Sequence, residues 1–405
     1  MNMAVTPASD IEAPSSIALA SGKIRLEYID GLRALALVMV LLDHCWLSCG
    51  MPWFHWWNIL GNGYTGVNLF LTLSGFCLYW PMISGTTRRE PTLWEFARRR
   101  AHRLLPPYYI ALLLFAGAEA VFHYTGHSWP DNPNKTLTQI GEAVIWHAGM
   151  LHNLRPEYIG TIDGALWSLA LEVNLYIAMP ILVVIARKQG IISAICLAVC
   201  VTLAYRFWIN WFAGGSPAWE MYGHNIALVV CCSLPGRWLE FALGMWAAKL
   251  VADGHSDKSP KMPYGWLAIG CILLAFLLAQ KFGIFNPASD AIDGLGFFFL
   301  ILYASRHNQG AGKFSVSALL RHPLAVNLGI ISYSVYLIHQ PLLRLAVDAT
   351  RFHVKHNSLE FFVSVLIFVP VIILISRVFF RFCEQPFINK PKKNAVPILQ
   401  EQPAA

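Results

Sequence analysis

The chain has 405 residues, of which 56% are hydrophobic and only 13% charged. A soluble domain averages about 25% charged residues, so the composition excludes a soluble globular protein and points to an all-α, polytopic transmembrane helical bundle. The net charge of +7 is no sign of a nucleic-acid partner. The basic residues sit in short connections between apolar runs, where they act as topology signals.

In chain order, residues 1–22 are polar and rich in Ala, Ser and Pro. They read as a disordered cytoplasmic tail. No cleavable signal peptide is expected there, because the first apolar run starts after Arg33, too far in and too long for one. About ten runs then have the length of a bilayer span: 31–49, 63–83, 105–123, 167–186, 190–212, 229–250, 264–281, 290–305, 326–347 and 358–380. They form one domain over 23–390, followed by a cytoplasmic tail at 391–405. Short connections join most spans. The segment 124–166 is long and polar and contains the turn-rich "HSWPDNPNK". With the N-terminus inside, 20 of the 30 Lys and Arg residues fall on inner segments and 5 on outer ones. That bias puts both termini in the cytoplasm and 124–166 outside.

Four stretches could carry chemistry. The first span, "IDGLRALALVMVLLDH", holds Arg33 near its inner end and Asp43 and His44 deep in the bilayer. Arg33 and His44 are eleven residues apart, hence on nearly one helical face and about 16 Å apart along the axis. Either residue alone would read as a snorkelling Arg or a core His. With Asp43 they mark a site, since intramembrane ionisable groups are costly. The "RRRAHR" run ends in Arg100 and Arg103, three apart on a helix. Such clusters anchor to anionic lipid, or grip phosphate in forked geometry.

In "WSLALEVNLY", Ser168, Glu172 and Tyr176 recur every four residues as a polar stripe after Trp167. Glu172 is either a structural partner of Arg33 or Arg237, or a proton acceptor. In "ISYSVYLIHQP", Tyr333, Tyr336 and His339 recur every three residues, a pattern that more often packs than reacts. Arg237 with Glu240, three apart, reads as a structural ion pair, and Glu384 as a structural partner. Nine cysteines, an odd number with no CxxC, fit no metal template. Buried free thiols are expected, with a strained disulfide between Cys45 and Cys49 as the alternative.

Together these stretches resemble the acyltransferase-3 family of bacterial integral membrane O-acyltransferases. The resemblance rests on "DGLRALALVMVLLDH", "GVNLFLTLSGF", "RRRAHRLLPPYY", "LWSLALEVNLY", "RWLEFALGM", "ISYSVYLIHQPLL" and "CEQPFI", in the family's order. It implies that Arg33 and His44 are essential. It also implies that Arg100 and Arg103 help to hold acyl-coenzyme A at the cytoplasmic face, and that Trp167, Ser168 and Glu172 line the bundle core. Val173-Asn174 stands where many members have a second acidic or Gln-rich stretch, which removes a shared-proton carboxylate pair. No added extracytoplasmic esterase-like domain, of the kind some members carry, is expected.

The expected catalytic group is therefore His44, oriented by Asp43 or Glu172 and acting as base or as acyl carrier. Arg33, Arg100 and Arg103 bind the donor, with Trp167, Ser168, Tyr176, Tyr336 and His339 lining the path. The donor substrate is acyl-coenzyme A, with acetyl favoured. No permanently bound cofactor, metal or nucleic acid is expected, and the other partners are the bilayer of the inner (plasma) membrane and a carbohydrate or glycolipid acceptor. The rival class is a proton-coupled transporter, which would use the same His, Asp and Glu residues and should show broken helices in matching positions of two halves.

Overall fold

A computed structural model describes residues 26–51, 62–84, 92–127, 129, 136–212, 220–221, 224–225, 229, 232–254, 262–282, 287–306, 315–350 and 356–388. The two tails, the domain limits at 23 and 390, and most of 127–135 lie outside the described residues.

The fold is an all-α bundle. Its helices are α1 (Glu27–Ser48), α2 (Thr65–Ile83), α3 (Leu93–Tyr124), α4 (Leu137–Ala148), α5 (Trp167–Gln189), α6 (Ile191–Phe212), α7 (Leu234–Ala252), α8 (Tyr264–Phe282), α9 (Pro287–Arg306), α10 (Val316–Leu320), α11 (Pro323–Ile330), α12 (Ser332–Thr350) and α13 (Asn357–Phe387). A two-residue antiparallel ladder pairs Glu220 with Asn225 and Met221 with His224. Leu113, Leu114, Ile177, Ile181, Leu366 and Leu374 are exposed on the outside of the bundle. In water such a surface would drive aggregation, whereas lipid tails solvate it. The chain is a multi-pass membrane protein.

Among the described residues, eight helices are long and apolar enough to cross a bilayer, or nine if α11 and α12 count as one broken span. The expected span 229–250 corresponds to α7. It is 19 residues long, but Arg237, Glu240 and Lys249 make it too polar for lipid contact. Its neighbours sheathe it, and most of its residues are buried. Asp290 bridges Arg206 at 2.7 Å and Arg237 at 2.9 Å. Arg237 also donates to Asn68 Oδ1 at 2.5 Å and lies 3.3 Å from Glu240. Glu240 is thus the i,i+3 partner the sequence suggests, inside a larger network across α2, α6, α7 and α9.

α7 packs most extensively on α2, and two glycines allow the close crossing. A Cβ on Gly75 would lie 2.0 Å from the Phe241 carbonyl oxygen, and one on Gly244 1.9 Å from that of Thr72. Small residues at such crossings let backbones meet where no hydrophobic force pulls helices together.

Three local features depart from the sequence reading. The long polar segment 124–166, read as a connection, contains a helix: α4 lies within it, started by a capping box in which Thr136 and Gln139 satisfy each other's backbone amides. The run 326–347 is not one straight span, because α11 and α12 meet at 73°. No disulfide joins Cys45 and Cys49, which agrees with the expected thiols rather than with the alternative bridge. One turn of straight helix holds their sulfurs in poor geometry for a bridge. The third departure is the exposure of Cys196 and Cys200 on the outer surface of α6, where the sequence reading expects buried thiols; no disulfide joins the described cysteines.

Candidate functional site

α3 runs 32 residues, so the "RRRAHR" cluster forms the early turns of a long helix that continues into the bundle. The Thr92–Glu95 capping box starts it. Helical periodicity then splits the arginines: Arg98 and Arg99 are exposed, while Arg100 and Arg103 are half-buried on the inward face. Pro106 and Pro107 lack amide hydrogens, so the carbonyls of His102 and Arg103 lose their usual i+4 donors at this point.

Arg100 and Arg103 enter a cavity of about 910 Å³, counting the space at its mouth, that Arg33 also lines. Ser168, Glu172 and Tyr176 of α5 and Tyr336 of α12 contribute to the same wall. Seven of the predicted site residues, drawn from four helices, thus meet in one space. Among the described residues, Arg100 and Arg103 have no ion pair and no side-chain hydrogen bond. Arg100 stacks over Phe96 and Tyr176 at 5.8 and 5.9 Å. Among the described residues, the polar contacts of Arg33 are long, 3.5 Å to Asp30 Oδ1 and 3.5 Å to Cys77 Sγ. Three guanidinium groups whose charge is so weakly neutralised form a ready anion site.

Glu172 does not pair with Arg237, which is engaged in the α7 network, and it forms no salt bridge with Arg33. Its Oε1 accepts from Ser74 at 2.7 Å and from the Tyr176 hydroxyl. Ser168 donates to the Tyr336 hydroxyl at 2.7 Å. The break between α11 and α12 adds Gly329, Ile330, Ser332 and Tyr333 to the lining. Tyr333 donates to the Leu104 carbonyl at 2.7 Å, tying the broken span to α3. Sequence reading missed Ser74 and Cys77 of α2 as wall residues. The signal was present, a serine and a cysteine three apart in an apolar run, but periodicity alone does not say which face of a buried helix meets a cavity.

His44 lies three turns along α1 from Arg33 and meets His339 of α12. His44 Nδ1 and His339 Nε2 are 2.6 Å apart, with the rings stacked at 4.8 Å. His339 Nδ1 is 2.8 Å from the Tyr336 carbonyl oxygen. Neither histidine lines the cavity; Tyr336 stands between them and it. The hydrogen-bond partner of His44 is therefore His339, not Asp43 or Glu172. Asp43 is buried and faces the start of α2, where a Cβ on Gly63 would lie 2.8 Å from its own Cβ. Trp167 packs on the core beside the cavity, and its carbonyl accepts from Asn153 at 2.7 Å. Glu384 accepts from Ser334 at 2.5 Å, as a structural partner would.

The turn before α5 is buried, with Asp163 1% exposed. One of its carboxylate oxygens accepts the Ala165 amide at 2.9 Å. Ile162, a β-branched residue, is held at φ 63° just before it, a strained conformation that surrounding structure must enforce. Burial pushes the Asp163 carboxyl up to about 8. Among the described residues, no group of three or more His, Cys, Asp or Glu is placed to hold a metal ion.

A family model described as "Acyltransferase domain" matches residues 26–377. Curated relatives include the O-acetyltransferase OatA of Staphylococcus aureus (strain NCTC 8325 / PS 47), 23% identical over 391 residues, covering 89% of this chain and 57% of that protein. The putative membrane-bound transacylase BcsY of Komagataeibacter xylinus is 27% identical over 365 residues, covering 88% and 82%. The putative peptidoglycan O-acetyltransferase YrhL of Bacillus subtilis (strain 168) is 24% identical over 381 residues, covering 88% and 54%. The chain thus spans little more than half the length of OatA and YrhL. No solved structure matches it.

Proposed function

The chain belongs to this acyltransferase-3 family, and from that premise we propose that it moves an acetyl group from acetyl-coenzyme A to a hydroxyl of an envelope or exported carbohydrate, at the inner membrane. The observation that carries the proposal is the cavity where Arg33, Arg100 and Arg103 converge with the α5 and α12 hydroxyls. Anionic phosphates suit the arginines, and a slender pantetheine arm would run along the cavity toward Tyr336, behind which the histidines lie. The names of OatA and YrhL speak of O-acetyl transfer, and that of YrhL of peptidoglycan, which supports a glycan hydroxyl as acceptor.

In the transfer step the acceptor oxygen attacks the thioester carbonyl carbon. His44 takes the hydroxyl proton as general base. The carbon–sulfur bond breaks, the electron pair leaves on sulfur, and His44 returns the proton to the thiolate. Glu172, bound to two hydroxyl groups, keeps Tyr176 and Ser74 in place along the wall. The transporter alternative needs paired breaks in two halves. Among the described residues one bent pair is found, and it lines the arginine cavity.

The test is reconstitution with radiolabelled acetyl-coenzyme A, following label transfer to a glycan acceptor and release of free thiol. Wild-type protein should do both, and His44→Ala should do neither while keeping its melting temperature and monodispersity. Wild-type turnover by the purified His44→Ala protein would refute the assignment.

A further inference from the structure

The Tyr336 carbonyl determines where protons sit two rings away. A carbonyl oxygen only accepts, so His339 Nδ1, 2.8 Å from it, carries a hydrogen and donates. A neutral imidazole has one N–H, so His339 Nε2 is then an acceptor. His44 Nδ1, 2.6 Å from that nitrogen, must supply the hydrogen. The same rule applied once more leaves His44 Nε2 with a bare lone pair. That nitrogen makes no hydrogen bond to any described residue, and His44 is only half-buried where His339 is fully buried.

We propose that His339 is a positioning residue which, anchored on the Tyr336 carbonyl, locks His44 as the Nδ1–H tautomer and so keeps Nε2 as the base. The proposal rests on the reading of His44 as the proton acceptor in acyl transfer. When Nε2 takes the hydroxyl proton, Nδ1–H stays donated to His339, so the ring neither turns nor loses its partner. An acidic residue commonly holds a catalytic imidazole in this way. Here a neutral ring does so, and both nearby carboxylates are turned elsewhere: Glu172 to Ser74 and Tyr176, Asp43 to the start of α2. A neutral orienter places no second charge in the apolar interior, where a buried anion is costly. The anchor is also set by the same residue that separates the cavity from the histidines, so Tyr336 couples donor path and base through its ring and its carbonyl.

The experiment compares His339→Leu and His339→Gln with wild type in nanodiscs, using acetyl-coenzyme A and a glycan acceptor. Leucine keeps volume without an acceptor; glutamine returns an amide oxygen near the lost Nε2. His339→Leu should lower kcat by about 10²-fold or more, as wrong-tautomer variants of other imidazole bases do, and leave the KM for acetyl-coenzyme A within about threefold. His339→Gln should restore at least about a tenth of the wild-type kcat. Solid-state NMR on protein carrying 15N-histidine gives a readout independent of turnover. The His44 signal, identified by its loss in His44→Gln, should show a protonated Nδ1 and a bare Nε2, and should shift to the opposite tautomer in His339→Leu. Wild-type kcat in a folded His339→Leu protein, or a bare Nδ1 on His44 in the wild type, would overturn the proposal. The wild-type spectrum decides the matter even if His339→Leu fails to fold. Retained turnover in His44→Gln would instead sink the reading of His44 as the base, on which the proposal rests, and leave only the tautomer assignment standing.

Discussion

Arg103→Ala and Arg100→Ala separate a donor site from a lipid anchor. The Arg103 side chain has no ion pair or hydrogen bond among the described residues, so its removal should cost the fold almost nothing. Arg100 loses two cation–π contacts, to Phe96 and Tyr176, worth about 0.5–1 kcal/mol each. The functional loss should be larger. Each charge-assisted contact to a coenzyme A phosphate contributes about 1.5–3 kcal/mol, or about 10- to 150-fold in Kd per arginine. Because both side chains line one cavity, the double variant need not show the simple sum. Arg98 and Arg99 supply the control: they belong to the same basic run but are exposed, and Arg99 already donates to the Glu95 carbonyl. The assay is calorimetric titration of coenzyme A into each variant in one detergent, with melting followed in parallel. We expect weakened binding for Arg100→Ala and Arg103→Ala, wild-type binding for Arg98→Ala and Arg99→Ala, and melting temperatures close to wild type throughout. Lipid anchoring predicts the reverse: four similar effects on yield or insertion, with Kd unchanged. Wild-type Kd in Arg103→Ala would end the phosphate-site argument.

The charge network should behave in the opposite sense. Asp290→Ala leaves Arg206 and Arg237 without the carboxylate they share, and breaking one partner of a buried ion pair costs about 3–5 kcal/mol, so the variant should melt early or fail to accumulate, as thermal melting in detergent will show. Asp163 predicts a pH dependence. With its folded value raised to about 8, the native state keeps a proton that the unfolded chain has lost above its ordinary value near 4. Stability should therefore fall as pH rises between those values, by up to about 1.4 kcal/mol per unit, and level off above pH 8. Asp163→Asn keeps an acceptor for the Ala165 amide and should flatten that slope in melting curves at pH 5, 7 and 8. Sidedness is the last expectation: proteoliposomes loaded with acetyl-coenzyme A should acetylate an acceptor offered only to the face bearing 124–166, and transfer that requires both substrates on the inner face would exclude a trans-bilayer route.

Much of the fold follows from one-dimensional properties. Runs of about 20 apolar residues must become helices in a bilayer, because no water is there to satisfy an open backbone. Clustered charge in such runs is expensive enough to mark a site. Hence the polytopic helical class, the pairing of Arg33 with His44 on one face of α1, and the inward stripe of Ser168, Glu172 and Tyr176 were all legible. The split between Arg100 and Arg103 and the exposed Arg98 and Arg99 follows from helical periodicity once α3 is known to begin at Leu93.

What no spacing rule could reveal is which faces meet. A polar α7 survives because α2, α6 and α9 surround it and answer its charges, a fact of three-dimensional neighbours. The bend between α11 and α12 follows no proline; Gly329 lies against α1, where a Cβ would sit 1.9 Å from the Asp30 carbonyl oxygen, and packing sets the angle. Above all, His44 has a carboxylate as its immediate neighbour in sequence, yet its hydrogen-bond partner is His339, 295 residues away. Adjacent residues on a helix point about 100° apart, so Asp43 is turned from the ring that His44 presents to α12. Sequence determined which side chains were costly enough to matter; only the packed bundle decided which of them face one another.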